Sequence, residues 1–387
     1  MFYTIFDVIC YYSALKGVDV KATIKWFNSK GVNKSKIKMF KREGIGQILS
    51  TDIDVVLEFC GIDYIGLCLL MGRIPIECHN SFLSKINDIS LLLNKIKEEK
   101  AVTKNECVFE TKFGKLFNGD CLDVLIGVDD NSVDCVFADP PFNLNKEYDN
   151  GFVDKRGVSA YLNWSYRWID ECVRILRPGG TLLIYNIPRW CSYYAVYLNF
   201  NLEFRNWIAI DMKTGFPGKK NYNPSHYGLL YYVKPGGDIT FNKIRIPVST
   251  CRHCGGEIKN YGGHKDKINR QGLNISDVWT DIYPVRSGKN RKSNELSVKF
   301  IERILSTHTN AGNLIVDPFS GSGTICAVSE LLGRRWYGIE IGDCNGIINR
   351  IRNNENDKKL LSKSLSEENR LFTEEALRLR KKNGFWL

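Results

Sequence analysis

The segment over 313–340 constrains this chain more than any other. Asn313-Leu314-Ile315-Val316 reads as a buried strand that runs through Asp317-Pro318 into the turn Phe319-Ser320-Gly321-Ser322-Gly323. A helix over 325–332 follows and Gly333 closes it; Trp336-Tyr337-Gly338-Ile339-Glu340 is the next strand and ends in a carboxylate. Glycines in such a turn let the backbone approach a ligand closely. The helix behind it offers unpaired N–H groups. An acid at the tip of the next strand is placed to hold a ribose diol. The turn is neither the Gly-x-x-x-x-Gly-Lys-Ser/Thr phosphate loop nor the Gly-x-Gly-x-x-Gly dinucleotide fingerprint.

The same rhythm extends backwards from this segment. Val133-Asp134-Cys135-Val136-Phe137-Ala138 is a buried-type strand entered through the turn Asp129-Asp130-Asn131-Ser132. A helix carries Leu162, Tyr166, Ile169, Val173 and Leu176 on one face and is stopped by Arg177-Pro178-Gly179-Gly180. Strands are expected at 181–185, 207–211 and 228–233, and a helix at 295–307. Strands alternating with helices imply an α/β fold with a mostly parallel sheet covered on both faces. Residues 1–78 read instead as short helices, a small all-α N-terminal module, and 79–105 as a linker helix. The α/β domain spans 106–352, with a polar, basic, glycine-rich insert inside 213–292. Residues 353–387 form a helical tail that could pack on the sheet or mediate dimerisation; a solvated helix on the body is the preferred reading.

Charge narrows the partner. The net charge of +11 is concentrated: residues 16–43 hold 9 basic and 2 acidic side chains, and 213–292 hold 15 basic and 5 acidic. Two basic segments on a mildly acidic body suit a polyanion gripped at two places. No apolar run is long enough for a membrane span, no secretory leader is expected, and the thirteen cysteines sit mostly singly in apolar runs, as in reduced cytoplasmic proteins.

The second chemical signal is Asp139-Pro140-Pro141-Phe142, directly after the strand 133–138. At the C-terminal end of a parallel strand it faces the ligand crevice. The prolines fix the backbone and leave only carbonyl acceptors. A carboxylate, a carbonyl and an aromatic face suit a planar base with an exocyclic amino group.

Together these residues resemble the S-adenosylmethionine-dependent DNA amino-methyltransferases that act on N6 of adenine or N4 of cytosine. Asp139–Phe142 match that family's catalytic tetrapeptide and Phe319–Gly323 its Phe-x-Gly-x-Gly cofactor loop, in the order of the β class. Asn118-Gly119-Asp120-Cys121, Asn223-Pro224-Ser225-His226-Tyr227, Asp277-Val278-Trp279 and Asn294-Glu295-Leu296-Ser297 also match, so that the likeness covers about 106–352. The resemblance implies a Rossmann-like methyltransferase fold. It also implies that Asp317, Phe319, Ser320, Gly321, Ser322, Gly323 and Thr324 line the methionine side of the cofactor. Glu340 would then bind the ribose, Asp120 would lie near the adenine, and Asp139, Pro140, Pro141 and Phe142 would hold the target base. Asp rather than Ser at the first catalytic position leans toward adenine-N6, with cytosine-N4 as the alternative on the same scaffold.

Duplex DNA is the expected partner, contacted by Lys213, Lys219, Lys220, Tyr222 and His226 beside the base and by Arg286, Lys289, Arg291 and Lys292 at phosphates. Residues 32–62 resemble the helix-turn-helix of phage-repressor type, with Lys36, Lys38 and Lys41 toward DNA; a plain helical cap is the other reading. Cys251-Arg252-His253-Cys254 is half a zinc site with no second Cys-x-x-Cys, so a tight turn with two free thiols is preferred and no metal is expected. A cognate restriction endonuclease is a further expected partner, the chain itself acting as a monomer or homodimer. Two other readings are a catalytically inactive DNA-binding regulator and a methylase of RNA or protein amides; intact Asp139, Phe142, Gly321 and Glu340 weigh against the first.

Overall fold

The computed structural model describes residues 5–40, 50–71, 106–144, 158–212, 222–251, 253–256, 258, 263–283 and 295–387. The N-terminal unit holds α1 (Ile5–Leu15), α2 (Val20–Ser29), α3 (Lys34–Phe40), α4 (Ser50–Cys60) and α5 (Tyr64–Leu70). It buries its own core, including Ile5, Val8, Phe27, Phe40, Val56 and Leu67. Asp19 caps α2 by accepting from the Lys21 N–H, and Asn33 accepts from the Lys36 N–H at the start of α3. Lys36 pairs with Asp52 at 2.7 Å, which ties α3 to α4, whereas Lys38 is exposed. Lys41 and the segment 79–105, expected as a linker helix, lie outside the described residues.

The larger unit is built on the strands β1 (Glu106–Glu110), β2 (Gly114–Asn118), β3 (Val133–Ala138), β4 (Leu176–Asn186), β5 (Glu203–Asp211) and β6 (His226–Val233). Beyond them come β7 (Arg245–Ile246), β8 (Leu273–Asn274), β9 (Val278–Trp279), β10 (Leu314–Asp317) and β11 (Arg335–Glu340). Nine of these form one sheet in the order β1-β2-β11-β10-β3-β4-β6-β5-β9. The run β2-β11-β10-β3-β4 is parallel, and β6 reverses direction against both β4 and β5.

Residue alternation decides which face each side chain covers. On β4, Leu182 and Ile184 pack with α6 (Cys121–Ile126), α7 (Val158–Ile175) and α8 (Pro188–Leu198) through Trp168, Trp190 and Tyr194. Leu183 and Tyr185 pack on the other face with α9 (Val298–His308), α10 (Thr324–Leu331) and, past α11 (Asn345–Arg352), α12 (Glu355–Glu367). Both faces are covered, as the continuous apolar strands require. The helix α7 ends at Ile175, at the expected stop, but Arg177-Pro178-Gly179-Gly180 already belongs to β4. There the register against β3 slips between Val133 and Cys135, so the irregular tetrapeptide is absorbed as a bulge.

The tail differs from the solvated helix expected of it. Leu361 of α12 enters the second core. Residues 369–371 lie along the insert: Asn369 N–H donates to Arg245 O at 2.9 Å, Leu371 N–H to Arg270 O at 3.0 Å, and Val248 N–H to Leu371 O at 2.7 Å. The last helix, α13 (Glu374–Lys382), closes a small core of Leu371, Phe372 and Ala376 with Val248, Ile258, Ile268 and Trp386. Arg380 is 0% exposed. Its guanidinium donates to the carbonyls of Gly255, Gly256 and Trp386 and stacks 4.1 Å from the Phe372 ring centroid. Asn383 donates to Cys254 O at 2.6 Å. The Cys251–Gly256 turn is thus held by the tail. Arg380→Ala strands three carbonyls and should cost about 3 kcal/mol. The check is a lowered urea midpoint, with limited proteolysis cutting first within 245–272.

Candidate active site

Strands β3 and β10 are hydrogen-bonded neighbours running in the same direction, with Cys135 opposite Ile315 and Val136 opposite Val316. The Asp139–Phe142 and Asp317–Gly323 motifs therefore leave adjacent strands at the same end, about 5 Å apart at their roots. From β3 the chain crosses through α7 to β4 on one side; from β10 it crosses through α10 to β11 on the other. Diverging connections open a crevice at that boundary.

On the cofactor side the turn is tightly determined. Asp317 accepts from the Phe319 N–H at 3.2 Å, Ser320 N–H donates to Ile339 O at 2.8 Å, and Gly323 N–H to Ser320 O at 2.7 Å. Gly323 precedes α10 at φ +71°, and a Cβ there would lie 2.5 Å from Ile347 Cγ2 of α11. Gly321, at φ +50°, is exposed, and a Cβ there would meet only Phe319 O, at 3.9 Å. The Phe319 ring rests on Trp164 and Trp168 at 5.8 and 5.2 Å. Thr324 begins α10, and its hydroxyl accepts from Arg350 at 2.9 Å.

Glu340 stands at the tip of β11, beside Asn118 at the end of β2. Its carboxylate accepts from the Gly321 N–H at 2.8 Å and the Gly342 N–H at 2.7 Å, so it braces the glycine turn as well as ending the strand. Asp120 caps α6 by accepting from the Leu122 N–H at 2.9 Å. Burial, and then the nearby Glu340 charge, push Asp317 up to about 7; burial raises Glu340 as well. A buried and a half-buried carboxyl, both shifted upward, suit a cationic ligand, whose charge would favour their ionised form.

On the other side, Asp139 is half-buried and Pro140 buried. Tyr161 OH donates to Pro141 O, and the Trp190 indole N–H donates to Phe142 O at 2.7 Å. Among the described residues no donor takes the Pro140 carbonyl. Asn143 follows at φ +54°, a left-handed conformation that Asn tolerates better than most side chains. The Phe142 ring lies 6.1 Å from Tyr185 and 5.8 Å from Tyr227, and those two rings are 5.0 Å apart. Burial, followed by the Asp139 charge, raises the Tyr185 phenol.

The tyrosines Tyr185 and Tyr227 were not among the residues selected from sequence. Tyr185 had a visible signal, since it ends a strand parallel to β3; Tyr227 had a weaker one, in Asn223–Tyr227. The reversal of β6 carries Tyr227 and the half-buried His226 to the same end of the sheet, where Tyr222 is 100% exposed. Lys213, Lys219, Lys220, Arg286, Lys289, Arg291 and Lys292 lie outside the described residues.

A mostly parallel sheet bearing this glycine turn on one strand and Asp-Pro-Pro-Phe on its neighbour defines a Rossmann-like methyltransferase. Residues 133–345 match the N6/N4 DNA methylase family. The whole chain is 47% identical to the Type II methyltransferase M.BamHI of Bacillus amyloliquefaciens, covering 93% of that protein. It is 30% identical to the Type II methyltransferase M.HpaI of Haemophilus parainfluenzae over 59% of this chain and 70% of that one. It is 29% identical to the DNA adenine methyltransferase YhdJ of Escherichia coli (strain K12) over 60% and 81%. The chain belongs to the N6/N4 DNA methylase family and is an S-adenosylmethionine-dependent DNA methyltransferase.

The donor set fits that cofactor, which carries a sulfonium and an ammonium. Burial raises the Asp317 carboxyl to about 7, so cofactor binding should tighten as pH rises through that value, where the carboxylate forms. Calorimetric titration between about pH 6 and 8 checks this; Asp317→Asn should bind more weakly and with a flat pH profile.

Proposed function

We propose that this enzyme modifies a specific DNA sequence by extruding one base from the duplex and transferring the methyl group directly to its exocyclic amino nitrogen. The adjacency of the β3 and β10 tips is the observation that carries this reading. The Asp139 carboxylate and the Pro140 carbonyl each accept one amino hydrogen, which favours a more tetrahedral nitrogen and frees its lone pair. The rest is positioning for in-line attack: the N–C bond would form as the carbon–sulfur bond of the sulfonium breaks. A neutral thioether would leave, and the nitrogen would shed its surplus proton to the Asp139 carboxylate or to water. A stacked base cannot reach the crevice, so it must flip, and Phe142 with Tyr185 and Tyr227 replaces its lost stacking.

Asp139 leans toward adenine-N6; cytosine-N4 presents the same amino group. The names of the Type II relatives support a restriction-modification role with a cognate endonuclease. The insert within 213–292 reads the sequence, and residues 1–78 add a helical DNA-contacting module through Lys38 and Lys41. No described helix is long and apolar enough to cross a membrane, in keeping with action on DNA in the cytoplasm.

Incubation with unmethylated DNA followed by nucleoside analysis should yield N6-methyladenine. N4-methylcytosine alone would move the target to cytosine, and neither product would end the reading. Asp139→Ala should lower turnover at least about 100-fold with cofactor affinity retained. Undiminished methylation would remove Asp139 from its role.

A further inference from the structure

The C-terminal tail is welded to the insert; the insert lies within residues 133–345 that match the family, whereas the tail lies beyond them. Three backbone hydrogen bonds and a shared apolar cluster unite 369–376 with 245–270. Buried Arg380 and exposed Asn383 fasten α13 to the Cys251–Gly256 turn. The Lys265 ammonium lies 5.3 Å from the Trp386 ring centroid, so the 3-10 turn Lys265–Lys267 and the end of the chain share one corner.

That corner is basic and polar. Lys267, Arg270, Arg378, Lys381 and Lys382 are exposed, as are the amides Asn269 and Gln271. The turn carrying Arg270 and Gln271 is rigidly seated. Gly272 follows at φ +109°, where a Cβ would meet Ile246 O at 2.6 Å and Arg370 O at 2.9 Å, and Leu371 holds Arg270 O from beneath. The unit is joined to the sheet through β9, which pairs in parallel with the half of β5 that ends, at Asp211, beside His226. β9, to which the unit connects, therefore lies on the sheet edge next to the end of β5 that pairs with Tyr227.

We propose that the tail and the insert form one DNA-reading subdomain that grips the duplex beside the flipped base. Arg378, Lys381 and Lys382 of α13 contact phosphates, and the 269–271 turn reaches base edges. The placement rests on the DNA-methyltransferase reading above, and it makes the C-terminal residues part of the specificity machinery. A helix end rich in lysine and arginine also complements its own dipole. That purely structural role predicts no effect on DNA.

The test is a salt titration of duplex binding by full-length protein, with the triple variant Arg378→Gln/Lys381→Gln/Lys382→Gln beside wild type. Loss of three phosphate contacts should reduce the slope of log affinity against log salt by about 3. The KM for DNA should rise about 10-fold or more while kcat moves much less, and cofactor affinity should hold. Arg270→Ala should relax site preference in methylation sequencing, since a base contact carries sequence information and a phosphate contact does not. An unchanged salt slope and unchanged site preference, with wild-type methylation intact, would overturn this subdomain while leaving the enzyme assignment standing. Absence of methylation by the wild type would instead end the parent reading.

Discussion

The parallel pairing of β3 with β10 is the constraint on which the rest of the molecule depends. Both strands are buried on both faces, so their register is fixed by packing, and a one-residue slip would turn each side chain to the opposite layer. Because Val136 and Val316 are paired, the carboxylate-proline turn and the glycine turn emerge side by side although they are far apart along the chain. The neighbours β11 and β4 then add Glu340 on one flank and Tyr185 on the other. The catalytic crevice is thus a by-product of hydrophobic strand packing, decorated only at the strand tips.

The electrostatics of the crevice divide along the same boundary. Asp317 and Glu340 are held in a buried environment that penalises their charge, and backbone N–H groups of the turn only partly offset it. Across the boundary, Asp139 is half-buried among aromatic rings, an environment suited to accepting hydrogen bonds from a flat neutral base. Two different chemistries therefore leave neighbouring strand tips, a carboxyl pair with the glycine turn from one side and Asp-Pro-Pro-Phe with its tyrosines from the other.

Much of this was legible in the sequence, for physical reasons. The strand 133–138 coincides with β3, and the strand, helix and strand around the glycine turn fall within a residue or two of β10, α10 and β11. These are buried segments bounded by Asp, Pro and Gly, where local pattern and tertiary need agree. Tyr227 had only the weak mark of the Asn223–Tyr227 match, because its place beside Phe142 depends on β6 reversing against β4, a non-local event. In the tail the preferred reading gives way for a similar reason: Leu360, Leu365 and Leu377 are exposed, while Leu371, Phe372 and an arginine are buried. A lone Arg380 among charged neighbours reads as a solvated helix face until its carbonyl partners at 255 and 256, contributed by the insert, are seen.

The account stands most directly on where the cofactor sits. A crystal structure with a non-reactive analogue of S-adenosylmethionine should show the methionine portion along Phe319–Gly323, the ribose at Glu340, and the position of the transferable methyl turned toward Asp139. An analogue bound away from the boundary of β3 and β10, or with that position facing away from Asp139, would contradict it.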